Sequence, residues 1–235
     1  MTVSVVLPVH NEAEMLKITL PSIQQLHLDE VVIVFDRCTD NSEKIVDETL
    51  NGKIIKLHVN HVSNWSYHLN FLYNLLVEHA NSDIILFTQA DVYLDSKIRK
   101  ILKTFHGTPQ VFRVLPIPNT FWRLIQYTDS MVLTSLTKGF HGVFAVSKLR
   151  YLADPLTEDE KLNFDSAMLQ KWRKQYEYYK TFCFNLRPFT PRSRLYSLGR
   201  TKAKAGKPFF KVLAFSMVRL MPEVLIGYIH ARKQP

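Results

Sequence analysis

The chain has 235 residues, of which 46% are hydrophobic and 22% charged, with only seven glycines. That is enough apolar material for one sizeable core with an appendage, and it excludes collagen-like, low-complexity and disordered character over most of the length. The net charge of +9 is placed unevenly, because residues 187–235 hold eleven Lys/Arg against one acid, Glu223, leaving 19 basic and 20 acidic residues in 1–186. A near-neutral body with a basic tail predicts an anionic partner for the tail. The tail forms no recognised nucleic-acid module, so lipid headgroups or a phosphate-bearing substrate are expected there and nucleic acid is not. Cys38 and Cys183 lie far apart and outside metal-ligand spacing, which argues against both a disulfide framework and a zinc site. Residues 1–9 lack the pattern of a signal peptide, and a cytoplasmic location is the expectation.

In chain order, Val3–Val9 is short, β-branched and apolar throughout, as a buried strand is, and Met15, Leu16, Ile18, Leu20 and Ile23 then recur at helical spacing. Val31–Phe35 predicts a second strand that ends at Asp36. The polar run Asp36–Ser42 leads into a helix bearing Ile45, Val46 and Leu50, and Ile54–Val59 follows as a third strand. A helix from about Tyr67 to His79 precedes a fourth strand, Ile84–Phe87. Val111–Leu115 reads as a further strand, Phe121–Leu136 as an apolar helix, Val143–Val146 as a strand and Leu162–Tyr176 as a helix. Apolar strands alternating with helices imply a mostly parallel central sheet covered on both faces. In such sheets ligands bind beyond the carboxyl ends of the strands, which singles out Pro8–Glu12, Asp36–Ser42 and Thr88–Asp91. For Asp40–Ser42 the expected role is capping of the following helix.

Three segments, Val3–Glu12 (VSVVLPVHNE), Val31–Ser42 (VVIVFDRCTDNS) and Ile84–Leu94 (IILFTQADVYL), resemble in order and spacing the nucleotide-sugar segments of family 2 glycosyltransferases, including dolichyl-phosphate sugar synthase-like members. The resemblance covers roughly residues 1–186 and implies a Rossmann-like GT-A fold and sugar transfer from a nucleoside diphosphate donor. It assigns recognition of the base and ribose to Asp36, Pro8, Asn11 and Glu12. Family members place two adjacent acids at the end of the second strand, whereas here Phe35 precedes Asp36. The family's Asp-x-Asp motif is represented by Gln89-Ala90-Asp91, so a Mg²⁺ or Mn²⁺ ion would have Asp91 as its metal ligand, Gln89 beside it, and the donor diphosphate to complete it. In the segment Asn64–Asn70, Asn70 matches the family pattern and His68 is placed to contact the diphosphate.

The resemblance also makes Gly139–Val146 an acceptor-side turn and strand, with His141 as a substrate contact. An inverting transferase acting on a hydroxyl needs a general base, and two placements remain open: Glu158-Asp159, and Asp165. The tail, residues 187–235, is expected to be helical and amphipathic. Its apolar stretch 209–231 is interrupted by Lys211, Arg219, Pro222 and Glu223, which suits a pair of interfacial helices rather than a spanning one. Arg200 is placed to reach a donor diphosphate or a lipid phosphate. The expectation is therefore a metal-dependent, hexosyltransferase-like enzyme, peripherally bound to a membrane, that moves a sugar from a UDP- or GDP-sugar to a lipid phosphate or glycan acceptor. A catalytically silent nucleotide-binding or membrane-adaptor protein on the same fold is the alternative.

Overall fold

The computed structural model describes residues 1–116, 143–160, 162–172, 175–186, 208–218 and 222–233. The chain divides into two compact units, residues 1–115 with 133–186, and residues 116–132 with 187–235.

Among the described residues, the first unit is built on one eight-stranded sheet. In chain order its strands are β1 (Val3–Val9), β2 (Glu30–Asp36), β3 (Ile54–Val59), β4 (Ile84–Phe87), β5 (Val92–Tyr93), β6 (Gln110–Pro116), β7 (Val143–Ser147) and β8 (Glu177–Asn185). Between them lie α1 (Ala13–Gln24), α2 (Ser42–Thr49), α3 (His68–His79), α4 (Lys97–Leu102), α5 (Lys148–Ala153) and α6 (Phe164–Lys171). The strand order is β3-β2-β1-β4-β7-β6-β8-β5.

The apolar strands found in the sequence all form, and β1 pairs parallel with both β2 and β4 while β2 pairs parallel with β3. The expectation of a mostly parallel sheet holds only for this half. β7 runs antiparallel to β4 and to β6, and β5 runs antiparallel to β8, so the sheet is mixed. β8 was not anticipated, because its residues alternate between exposed and buried and its aromatic content does not make a continuous apolar run. The helix expected over Leu162–Tyr176 is shorter: α6 starts after Asn163 and is capped at Trp172. The expected helix Phe121–Leu136 lies outside the described residues.

Alternation along the central strands sends side chains to two cores. Val5, Leu7, Ile33 and Leu86 pack on one face with Leu16, Leu20 and Ile23 of α1 and Ile98 of α4. Val6, Val32, Val34 and Phe87 pack on the other with Leu72, Tyr73 and Leu76 of α3 and Phe164 and Met168 of α6. Burying side chains of this size is worth about 1.5–3 kcal/mol each, so the sheet's middle is the rigid platform of the unit. In the second unit the described residues form α7 (Phe209–Val218) and α8 (Pro222–Lys233). Pro222 sits at the start of α8, where its missing N–H costs nothing, and the Phe209 and Tyr228 rings meet at 6.2 Å. No helix among the described residues is long and apolar enough to cross a membrane.

Candidate active site

The carboxyl ends of β1, β2 and β4 share one edge of the sheet, and each delivers a polar loop there. Beyond β1, the Asn11 side-chain oxygen accepts the Thr39 N–H at 2.7 Å, and the Glu12 N–H reaches Ser42 Oγ at 3.0 Å. Asp40 accepts the N–H of Ser42 with one oxygen and that of Ala13 with the other, both at 3.0 Å, so it ties together the starts of α1 and α2. Asp40 therefore does what the sequence assigned it, and more. Pro8 and Glu12 are half-buried on this rim, and Asn11 is exposed.

Asp36 closes β2 and is only 4% exposed. Arg37 grips it in a fork, Nε to Oδ1 at 2.8 Å and Nη2 to Oδ2 at 2.7 Å. His68, at the start of α3, adds a third bond from Nε2 to Oδ1 at 3.1 Å. The tautomer follows from the other ring nitrogen: Nδ1 accepts the Ser63 N–H at 3.0 Å, so Nε2 carries the proton. His10 Nδ1 lies 2.6 Å from the Asp36 carbonyl oxygen, to which it donates. Burial pushes the Asp36 carboxyl up, but the bonds from Arg37 and His68 outweigh it and hold the group below the usual carboxylate range. Both Asn11 and Arg37 hold left-handed backbone, with φ of 51° and 48°. Non-glycine residues adopt this at a cost of about 1 kcal/mol each, and such strain gathers where geometry serves a site. Phe35, where the family has an acid, turns to the other side of the strand and stacks on His58 at 5.4 Å.

Beyond β4, Asp91 is 2% exposed and Gln89 half-buried. The Asn185 side-chain amide donates to Asp91 Oδ2 at 3.0 Å, and the Leu186 N–H to the Asp91 carbonyl at 2.8 Å, so the end of β8 fixes this carboxylate. Helix α3 then links the pieces. Its Asn70 is buried and spends its amide on the Leu162 carbonyl at 3.0 Å, which positions the segment entering α6, and Tyr73 donates its hydroxyl to the Thr88 carbonyl at 2.9 Å. Trp65 packs against Phe71.

Asp165 stands in the first turn of α6, 7% exposed, and its Oδ1 has no hydrogen-bond partner among the described residues. Burial pushes its carboxyl up to about 7. The charges of Asp165 and Asp91 both act on the Tyr73 phenol, whose own ionisation burial raises far beyond the usual range. Glu158 and Asp159 are exposed, and Asp159 is occupied by the Thr157 hydroxyl at 2.8 Å. His141 and Arg200 lie outside the described residues.

The sequence matches the model of glycosyl transferase family 2 over residues 4–219. The chain belongs to that family. Solved structures share the fold of this glycosyltransferase. S. aureus TarS 1–349 in complex with UDP-GlcNAc superposes with a TM-score of 0.58 at 17% identity, over 86% of this chain and 66% of that one. M. tuberculosis glucosyl-3-phosphoglycerate synthase gives 0.58 at 14% identity, over 82% and 74%. The mannosyltransferase PcManGT from Pyrobaculum calidifontis, in complex with GDP-Man and Mn²⁺, gives 0.62 at 16% identity, over 99% and 75%. This chain thus spans somewhat less than two-thirds of the TarS structure's length. No curated protein matches the sequence.

Sequence reasoning found Asp36, Asp91 and Asp165 but missed Arg37, His10, Tyr73 and Asn185. Arg37 and His10 adjoin segments that had been singled out, and their charge beside a buried acid was the available signal. Asn185 had none, since it stands 94 residues from Asp91. Among the described residues no three or more His, Cys, Asp or Glu side chains group so as to hold a metal ion.

Proposed function

We propose that this glycosyltransferase moves a sugar from a UDP- or GDP-sugar to a hydroxyl of a lipid-linked or membrane-proximal glycan, with inversion at the anomeric carbon. The observation that carries the reading is the gathering of Asp36, Asp91 and Asp165 around α3 at the carboxyl edge of one sheet. That edge is where open α/β sheets bind nucleotides. Asp36 faces the base, Asn11 and Glu12 the ribose, and Asp91 the diphosphate.

The donor set at Asp91 suits a hard dication: one buried carboxylate and the neighbouring Gln89 amide oxygen, with the remaining positions left to diphosphate oxygens and water. Such an ion, Mg²⁺ or Mn²⁺, would neutralise the charge that develops on the departing nucleoside diphosphate. Asp165 is the general base. A carboxyl held near 7 is deprotonated in useful amount at neutral pH yet basic enough to take the acceptor's hydroxyl proton at a carboxylate oxygen. Its burial, against the exposure of Glu158 and Asp159, supports this placement over the other.

The membrane-proximal acceptor is supported by the tail. Phe210 is 79% exposed beside exposed Lys211 on α7, and the basic run 187–207 precedes them. The test is turnover of UDP- and GDP-sugars with and without Mn²⁺, in the native protein and in Asp91→Ala. Cation-dependent turnover that falls at least about a hundredfold in the variant is expected. Undiminished turnover would remove Asp91 from the mechanism.

A further inference from the structure

Most lysines of the first unit are spent within it. Lys17, Lys44, Lys53, Lys56 and Lys171 each meet an acid, and Lys148 donates to the Ala80 carbonyl. Around α4 the pattern changes. Lys97, Arg99, Lys100 and Lys103 all fall in the run KIRKILK, which contains no acid, although residues 1–186 are close to neutral as a whole. These four and Lys180 of β8 are exposed, and none meets a carboxylate among the described residues. Ile98 and Leu102 turn inward, so the cations share the outer side of the helix. Lys97 and Lys100 stand three residues apart and Arg99 and Lys103 four, spacings at which like charges repel, and a cation at the start of a helix opposes its dipole. The helix is weakened by this arrangement.

β8 completes the patch. Asp95 joins the two elements, accepting the Lys97 N–H at 2.9 Å with one oxygen and the Phe182 N–H at 2.8 Å with the other. Phe182 is 43% exposed, with Lys97 Nζ 5.7 Å from its ring centre and the buried Arg113 guanidinium 5.2 Å from it. We propose that α4 and β8 form a membrane contact on the catalytic unit itself, whose partner is the headgroup layer of an anionic bilayer. The cations meet lipid phosphates, and the Phe182 ring enters the boundary between headgroups and acyl chains. A single exposed ring beside an outward helix face offers a nucleic-acid strand neither a groove to follow nor a series of stacking platforms. Phe210 and Lys211 of α7 repeat the pairing of ring and cation in the second unit, and two weak contacts with one surface reinforce each other. The patch also adjoins the site, because α4 follows soon after Asp91 and β8 ends in the Asn185 that bonds Asp91. The inference rests on the membrane-proximal acceptor and adds to it a surface that holds the catalytic unit against the bilayer.

The experiment is co-sedimentation of the full chain with phosphatidylcholine vesicles and with equimolar phosphatidylcholine–phosphatidylglycerol vesicles. Native protein is compared with the triple variant Arg99→Gln, Lys100→Gln, Lys103→Gln, and with the control Lys17→Gln, Lys44→Gln, Arg150→Gln, which removes the same charge from exposed positions elsewhere. Glutamine keeps helix propensity, and thermal unfolding and donor turnover without vesicles are followed alongside. The α4 variant is expected to lose about tenfold or more in affinity for the mixed vesicles, and the control about threefold or less. Phe182→Trp tests the ring separately: brominated acyl chains in the mixed vesicles should quench its added fluorescence beyond what the native protein shows. Equal losses in the two triple variants, no loss in either, or no added quenching overturns the inference and leaves the tail as the membrane contact. An α4 variant that keeps vesicle binding but loses binding to polyuridylate makes the partner a soluble polyanion and also overturns it. Native protein that ignores both kinds of vesicle overturns the membrane-proximal reading as well, while donor turnover reports on the sugar-transfer reading by itself.

Discussion

Strand β2 carries a buried carboxylate at each end, and the protein treats the two differently. Glu30 opens the strand at 2% exposure and is bonded by its surroundings from several sides: Ser4 Oγ at 2.6 Å, the Asn81 backbone and side-chain amides at 2.8 and 2.9 Å, and Lys53 at 2.6 Å. Burial pushes it up, but these partners outweigh that and hold it at about 2. All of its partners lie in ordinary structure, and they tie β1, β2 and the turn before β4 into one block. At the other end of the strand, Asp36 is held by a residue in strained backbone and by two histidines, and the nearby Asp165 is kept buried with its carboxyl pushed up to about 7. One end of the sheet satisfies its charges for stability. The other end keeps a buried carboxyl oxygen with no hydrogen-bond partner among the described residues, which is the pattern expected where chemistry is done.

The sharpest way to break this contrast is Asp165→Asn. Loss of the base is expected to lower turnover about 10²–10⁴-fold with a hydroxyl acceptor. Native turnover should rise with pH through about 7 as the carboxylate forms. Stability should move the opposite way. The folded carboxyl sits near 7 against an ordinary value of 3.8, so its contribution is fully present below about 3.8 and is lost as pH rises through about 7. The asparagine variant lacks that loss and should be more stable at pH 8, by up to about 4 kcal/mol in urea unfolding. A variant that is both inactive and less stable at pH 8 would make Asp165 a structural residue.

Glu30→Ala is the mirror experiment. It strips acceptors from the Ser4 hydroxyl and from both Asn81 donors, while Lys53 is 56% exposed and returns to water. A loss of about 2–4 kcal/mol at pH 7 is expected, with nucleotide affinity unchanged once the variant is folded. Because the folded pKa is depressed, the native advantage is complete above about 4.5 and disappears as pH falls toward about 2, so the gap between the two proteins should close in acid. A gap that widens in acid would contradict the assignment.

The two ends also differ in how far the sequence discloses them. β1, β2 and β4 were legible because each is a largely apolar run with a polar break after it, and the break marks the site edge; β3, with Lys56 and His58 among its apolar residues, was legible by alternation. Asp36, Asp91 and Asp165 were legible as acids at element ends. Their states were not, because these depend on groups brought together by folding: Arg37 through its backbone angle, His68 from 32 residues on, and Asn185 from 94. The mixed half of the sheet was hidden for a related reason. β8 is half-exposed along its length, Lys180 and Thr181 divide its apolar residues into two short groups, and its pairing with β5 rests on two residue pairs, Val92 with Asn185 and Tyr93 with Phe184.

Tyr73→Phe probes the seam between the two regions and should have the smallest effect. The ring stays where it packs, 3.9 Å from that of Phe164 and 5.5 Å from that of Phe87, so the core is unchanged and only the hydroxyl's bond to the Thr88 carbonyl is lost. Removing one buried neutral hydrogen bond costs about 1 kcal/mol. Thr88 precedes Gln89 and Asp91 by one and three residues, so the lost bond loosens the loop that carries Asp91 more than it weakens the fold. The expected signature is therefore a rise of a few-fold in the Mn²⁺ concentration needed for half-maximal turnover, roughly the equivalent of that 1 kcal/mol, with the limiting rate nearly preserved. An equal fall in the limiting rate at saturating Mn²⁺ would instead place the phenol in the chemical step, alongside Asp165.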